Sequence, residues 1–158
     1  MIDNDRSHLL RAIGLARTHM EAGVGGSFGA VIVCEGKLLA EGWNMVTSSN
    51  DPSAHAEVVA IRRACQTLGT ARLDGATLYA SCEPCPMCLG AIYWAHVDRL
   101  VFAGTKVDAA GIGFDDDFIY QEFARPTAQR RLATQHMPLV EHDAVFADWV
   151  KKTDRKPY

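Results

Sequence analysis

Apolar residues recur at helical spacing near the start of the chain, at Leu9, Ile13, Ala16 and Met20, behind Asn4, Asp5 and Ser7 as candidate caps. They predict an amphipathic first helix. The cluster Gly23-Val24-Gly25-Gly26 ends it; no Lys-Ser or Lys-Thr follows, so these glycines read as a loop and not as a phosphate cradle. Phe28-Gly29-Ala30-Val31-Ile32-Val33 then reads as an apolar strand, Glu35-Gly36 as a hairpin turn, and Leu38 to Trp43 as a second strand with Asn44 at its exit. Ser49-Asn50-Asp51-Pro52 has the form of a helix start, with Asp51 as cap and Pro52 in the first helical position, and Val58, Ile61 and Cys65 form the inward face beyond it. Thr77 to Ser81 predicts a third strand. Pro86 excludes Cys85 from helical geometry and suits the first helical position itself, which makes Cys85 the N-cap and places Cys88 one turn later. Leu89 to Ala95 is apolar almost all round, the mark of a buried helix, and Arg99 to Ala103 supplies a fourth strand. Strands alternating with helices imply a three-layer α/β/α domain in which the helix ends that carry chemistry meet at one edge of the sheet.

With 158 residues, 48% of them hydrophobic, the chain suits one domain with a proper core, and no internal repeat or low-complexity stretch divides it. The first twenty residues carry charges and histidines throughout, and no run approaches a membrane span, so a soluble, cytoplasmic protein is expected. Of five cysteines, Cys82, Cys85 and Cys88 crowd into seven residues, which suits metal binding in a reducing compartment better than a disulfide framework. A net charge of −3 gives no strong pull on a polyanion. The tail Lys151-Lys152-Thr153-Asp154-Arg155-Lys156 is the one basic run, and such runs are usually solvated termini.

Two short segments carry the chemistry: His55-Ala56-Glu57 and Pro84-Cys85-Pro86-Met87-Cys88. One imidazole and two thiolates suit zinc, and three protein ligands leave a fourth tetrahedral position for water, the mark of a catalytic site over a closed structural one. Glu57 is then a carboxylate able to carry that water's protons without being a ligand. Residues two apart on a helix point about 200° from each other, so His55 and Glu57 address one metal only if it lies off the helix end or the opening is irregular. Cys82-x-x-Cys85-x-x-Cys88 also spells part of an iron–sulfur pattern, but Leu89-Gly90-Ala91-Ile92 stands where its next cysteine would follow. Cys34 and Cys65 read as small buried hydrophobes, and His8, His19, His96, His136 and His142 as ordinary polar or core residues.

The paired motif resembles the cytidine-deaminase superfamily of zinc-dependent base and nucleoside deaminases. The resemblance implies a three-layer α/β/α fold with a central mixed sheet, one Zn²⁺ per subunit on His55, Cys85 and Cys88, and Glu57 as proton shuttle. It leaves Cys82 without a ligand role. Longer strings are similar to the small bacterial guanine deaminases: Gly29 to Val33, Ser49-Asn50-Asp51-Pro52, Glu83 to Tyr93, Gly113-Phe114-Asp115-Asp116 and the terminal Tyr158. That likeness spans nearly the whole chain, although residues 103–107 and 127–138 carry no motif. It implies hydrolysis of guanine to xanthine and ammonia by a homodimer whose C-terminal segment, about residues 140–158, crosses to complete the neighbouring site.

Substrate contacts implied by the resemblance are Asn44, Phe28, Ala56, Asp116 and Tyr158. An amide at Asn44 offers donor and acceptor together for a purine edge, although asparagine in such a place more often caps a turn. Phe28 either stacks on the base or is core. Asp116 is an acceptor-only partner for the N–H groups of guanine, for recognition or for assisting ammonia departure, in a run that otherwise is solvated or caps the segment after it. The upstream strings are shared with tRNA adenosine deaminases, so adenosine in tRNA, guanosine or another base or nucleoside are the alternative substrates. A zinc-stabilised binding module without turnover is the alternative outside enzymes. The acidic balance and Asp115-Asp116-Asp117 weigh against a tRNA surface.

Overall fold

In a computed structural model, which describes residues 2–156, the chain divides into two compact units, Met1–Asp117 and Phe118–Tyr158. The first unit begins with α1 (Ile2–Glu21) and the hairpin β1 (Gly29–Cys34) and β2 (Lys37–Trp43). A short helix α2 (Val46–Ser49) and the longer α3 (Ala56–Leu68) follow, then β3 (Ala76–Cys82), α4 (Pro86–Trp94), β4 (Arg99–Gly104) and α5 (Lys106–Gly111). The sheet order is β2-β1-β3-β4. Strand β1 runs antiparallel to both neighbours and β3 runs parallel to β4, so the sheet is mixed. Glu35 and Gly36 both take positive φ, 51° and 74°, the two-residue turn whose twist matches a β-hairpin.

Strand alternation sorts the core into two layers. On one face Val31, Val33 and Tyr79 meet Ala12, with Leu9 and Leu15 of α1 against them. On the other, Ala30, Ile32, Leu78 and Ala80 pack with Ala56, Ala60, Ile61 and Ala64 of α3 and Ile92 of α4. The three-layer α/β/α arrangement is therefore as expected. Gly42 lets α3 lie close on β2: a Cβ there would stand 2.2 Å from the Ala56 carbonyl oxygen and 2.6 Å from the Ala60 nitrogen. The opening of α3, which carries the histidine motif, is held against the sheet by that close approach.

Several local expectations shift. Helix α1 starts earlier than the candidate caps, leaving Asp5 within the helix, where it bonds Tyr79 and Arg99. Met20 is exposed, and Ala12 and Ala16 are the buried positions, because the stripe turns with the helix and β1 covers its earlier part. In α3 the buried residues are Ala56, Glu57, Val59, Ala60, Ile61 and Ala64, so Val58 and Cys65 lie on the flanks of the inward face. Cys34 and Cys65 are half-buried and pack against the core rather than within it. Helix α4 buries Pro86, Cys88 and Ile92 but leaves Tyr93 73% and Trp94 68% exposed in the single chain. Its apolar circumference exceeds what one sheet face covers.

The second unit continues from α6 (Asp117–Ala124) through a 3₁₀ turn at Thr127–Gln129 to α7 (Val140–Lys151). Local polar contacts organise it: Glu122 pairs with Arg125 and accepts from the Arg131 backbone N–H. None of its described residues is buried, and Phe123, Val140, Phe146 and Val150 are exposed.

Candidate active site

Both metal-motif helices open in the same way. His55 is the N-cap of α3, with φ −69° and ψ 156°, and Cys85 is the N-cap of α4, with φ −65° and ψ 167°. The carbonyl of each accepts the first intrahelical bond, from Val59 and Leu89, both at 2.9 Å. Neither side chain caps its own helix. An N-cap side chain ordinarily accepts from the first turn; here both caps turn away from that task and toward each other. Pro86 at the start of α4 sets this geometry as expected, since it needs no amide partner and excludes Cys85 from the helix.

The start of α3 differs from expectation. Asp51 does not cap it: its Oδ1 accepts from the Ser53 N–H at 2.8 Å and the Ser53 hydroxyl at 2.6 Å, a turn that ends before the helix and is met from α3 by Arg62. The Met45 N–H then bonds the Ala54 carbonyl at 2.8 Å, and the helix begins four residues later than Pro52, at Ala56. Moving the cap to His55 resolves the angular problem of two residues spaced two apart. The histidine leaves from extended backbone and Glu57 from the first turn, and both reach the same point.

That point is a nearly equilateral triangle. His55 Nδ1 lies 3.5 Å from Cys85 Sγ and 3.5 Å from Cys88 Sγ, and the two sulfurs are 3.5 Å apart. Tetrahedral zinc at its usual bond lengths would hold such atoms roughly 3.6–3.8 Å apart, so the donor set and its spacing fit that ion. Among the described residues these three form the group able to hold a metal. Cys82 is turned away, its thiol donating to the Thr105 carbonyl at 3.3 Å, which agrees with its lack of a ligand role.

Charge in the triangle is arranged for a cation. The Cys88 thiol donates to Cys85 and, with help from His55, holds the Cys85 thiol down at about 4, so Cys85 is the thiolate of the pair. That same hydrogen bond, with burial, raises the Cys88 thiol. The partnership with Cys85 raises the His55 imidazole. Glu57 is 8% exposed, and burial raises its carboxyl; Oε2 accepts from Cys88 Sγ at 3.4 Å. A carboxyl whose charged form is disfavoured by desolvation is suited to taking and returning protons.

Of the five other expected residues, four lie among those described. Asn44 is 9% exposed, with its backbone bonded to Phe28 and Gly26. Its Oδ1 accepts from the Val46 N–H at 3.2 Å, so the turn-capping role exists, and the amide nitrogen remains to donate elsewhere. Phe28 is half-buried and meets Phe114 edge-on, with ring centres 5.0 Å apart. Ala56 is 1% exposed, so its polar contribution is the backbone N–H of the first turn. In the acidic run, Asp115 accepts from the Asp117 N–H at 3.0 Å and Asp117 pairs with Lys106, while Asp116 is half-buried. Burial raises its carboxyl, and the Cys85 charge adds to that effect. Tyr158 lies outside the described residues.

Residues 2–104 match the family described as the cytidine and deoxycytidylate deaminase zinc-binding region. The chain belongs to that family. Within it, the guanine deaminase of Bacillus subtilis (strain 168) is 51% identical over 98% of this chain and 99% of its own length. The X-ray structure of guanine deaminase from Bacillus subtilis superposes with a TM-score of 0.95, covering 97% of this chain and 98% of that one. A tRNA-specific adenosine deaminase of Aquifex aeolicus is 32% identical over 78% of this chain and 80% of its own. The family's zinc-binding description and the fit of the His55–Cys85–Cys88 triangle agree on the metal.

Residues without a spacing motif also shape the site. Ser81 Oγ accepts from the Gly29 N–H at 3.0 Å and so secures the strand beside Phe28. Trp43, just before Asn44, is stacked on His19 at 3.7 Å and lies under the Arg63 guanidinium at 4.3 Å. Glu83 bonds the start of α5. The capping box Thr105-x-x-Asp108 opens α5, in a stretch to which the sequence assigned no motif.

Proposed function

We propose that the chain hydrolyses guanine to xanthine and ammonia. The observation that carries this reading is the 51% identity to a guanine deaminase over nearly all of both chains, which continues past residue 104 through the segment where recognition of the base is expected. Zinc, when bound by His55, Cys85 and Cys88, supplies an acidified water, with a pKa brought from 15.7 toward roughly 7. Glu57 takes the proton released as that water's oxygen bonds to the amino-bearing carbon. It gives that proton to the neighbouring ring nitrogen, then takes the proton of the new hydroxyl as the C=O bond forms and gives it to the departing amine as the C–N bond breaks. Water contributes the oxygen of xanthine, and the amine leaves as ammonia. The Asn44 amide donates to the base edge, Phe28 stacks on the ring, the Ala56 N–H adds a backbone donor, and the Asp116 carboxylate accepts the N–H groups of guanine.

The working form is a cytoplasmic homodimer with one zinc per subunit. Exposed Tyr93, Trp94 and Phe102 in the first unit, and exposed Phe146 and Val150 in the second, supply apolar surface suited to a second copy. No helix among the described residues is long and apolar enough to cross a membrane. The segment of about residues 140–158 crosses between copies, bringing Tyr158 to the neighbouring site.

The test is ammonia release from guanine, guanosine, adenine, cytosine and cytidine, with a tRNA adenosine substrate alongside. Guanine is the expected substrate. Failure on guanine with activity on another substrate refutes the choice of base and leaves the metal site standing; zinc content without ammonia from any substrate favours the binding module.

A further inference from the structure

Glu83 stands two residues before Cys85 and grips the far side of the site from there. Its backbone N–H donates to the Gly104 carbonyl at 2.9 Å, and its Oε2 accepts from the Lys106 N–H at 2.9 Å. Between those partners, the Thr105 carbonyl accepts from Cys82 Sγ. Three successive residues of the β4–α5 junction are thus held by the two residues that precede the metal turn. From Lys106 the hold continues: its ammonium meets Asp117 Oδ1 at 3.4 Å, beside Asp116, and Phe114 of the same segment meets Phe28. The Lys106–Asp117 pair is exposed and weak by nature. The half-buried bond from Glu83, a charged acceptor on a backbone donor, is the firm link in the chain.

We propose that Glu83 is a positioning residue that ties the Cys85 turn to residues 106–117 and so sets the distance between the metal triangle and the base-recognising carboxylate Asp116. The proposal rests on the guanine reading only in assigning Asp116 its substrate. Glu83 is not among the three side chains able to hold the metal. Helix α5 has its own start signal, since Thr105 accepts from the Asp108 N–H and Asp108 accepts from the Thr105 N–H at 2.7 Å. Loss of the Glu83 carboxylate therefore releases this segment without unfolding α5, and the Cys85 N-cap geometry persists because Pro86 sets it.

The test uses the full-length, zinc-loaded protein with Glu83→Ala and Glu83→Gln. In Glu83→Ala, zinc content stays at the wild-type level, KM for guanine rises about tenfold and kcat changes by less than about twofold, the pattern of lost ground-state binding. Glu83→Gln keeps an oxygen for the Lys106 N–H and holds KM within about threefold of wild type. Hydrogen exchange supplies a readout that needs no substrate: amides of residues 106–117 exchange faster in Glu83→Ala, while those of α4 keep their protection. Zinc lost in step with activity, kcat falling at unchanged KM, or unaltered exchange across 106–117 would overturn the proposal. A wild-type chain inactive on guanine refutes the substrate instead, and the exchange and zinc measurements still decide the role of Glu83.

Discussion

The two ends of the parallel pair β3 and β4 both gather ionisable side chains and treat them in opposite ways. Where the strands begin, Asp5 receives hydrogen bonds from the Tyr79 hydroxyl at 2.7 Å and from both terminal nitrogens of Arg99 at 2.9 and 2.6 Å. The carboxylate is matched by a cation, and those bonds hold it well below the usual carboxylate range. Where the strands end, Glu57 is buried beside a thiol, and one imidazole and two sulfurs converge with no Lys or Arg among them. Burying such groups is costly unless a charge compensates. The first end closes its own electrostatics and is structural. The second gathers a donor set that fits a divalent ion, within the stretch that matches the family's zinc-binding region.

Breaking the second end should have the larger effect. Cys88→Ala removes one of the three side chains able to hold the metal; zinc content should fall to background and ammonia release with it, and chelation followed by zinc addition should reproduce and then reverse the loss in the wild type. Elemental analysis beside the activity assay checks both. Gly42→Ala disturbs the support beneath that end: the added methyl meets backbone of α3 that cannot yield, at a cost of about 1–3 kcal/mol by urea denaturation. Zinc retention should weaken as the α3 opening shifts. Asp5→Asn has the smallest effect and the clearest pH signature. Because folding lowers the Asp5 pKa, its stabilisation is present in full above the unfolded value, near 3.9, and fades as pH falls below it toward the folded value. Wild type should melt above Asp5→Asn at pH 7, with the gap closing below about pH 4. A constant gap would show that the Asp5 charge is not what Arg99 and Tyr79 recognise.

The same contrast explains what could be read from the chain before its structure. Motifs set by covalent constraint were legible: Pro86 determines the Cys85 cap, Glu35-Gly36 makes the hairpin, and the His55 and Cys85 motifs identify the metal. Competition among local hydrogen bonds was not. Asp51 had the form of a cap, but Ser53 engaged its carboxylate first and the helix began at Ala56. Side chains acting across loops, such as Glu83 on Lys106 and Ser81 on Gly29, have no periodicity to betray them. The exposed Tyr93 and Trp94 of α4 belong to the same class, because a hydrophobic pattern states that a face wants cover and not which surface supplies it.

The most direct measurement is guanine turnover by Glu57→Gln at a zinc content equal to wild type. The amide keeps the shape of the buried side chain and removes its ability to accept and return a proton. Ammonia release should fall by something on the order of 10² to 10⁴ with zinc retained. Near-normal release from the zinc-loaded variant would contradict the role of Glu57 and, with it, the claim that the uncompensated end of the sheet is where the chemistry occurs.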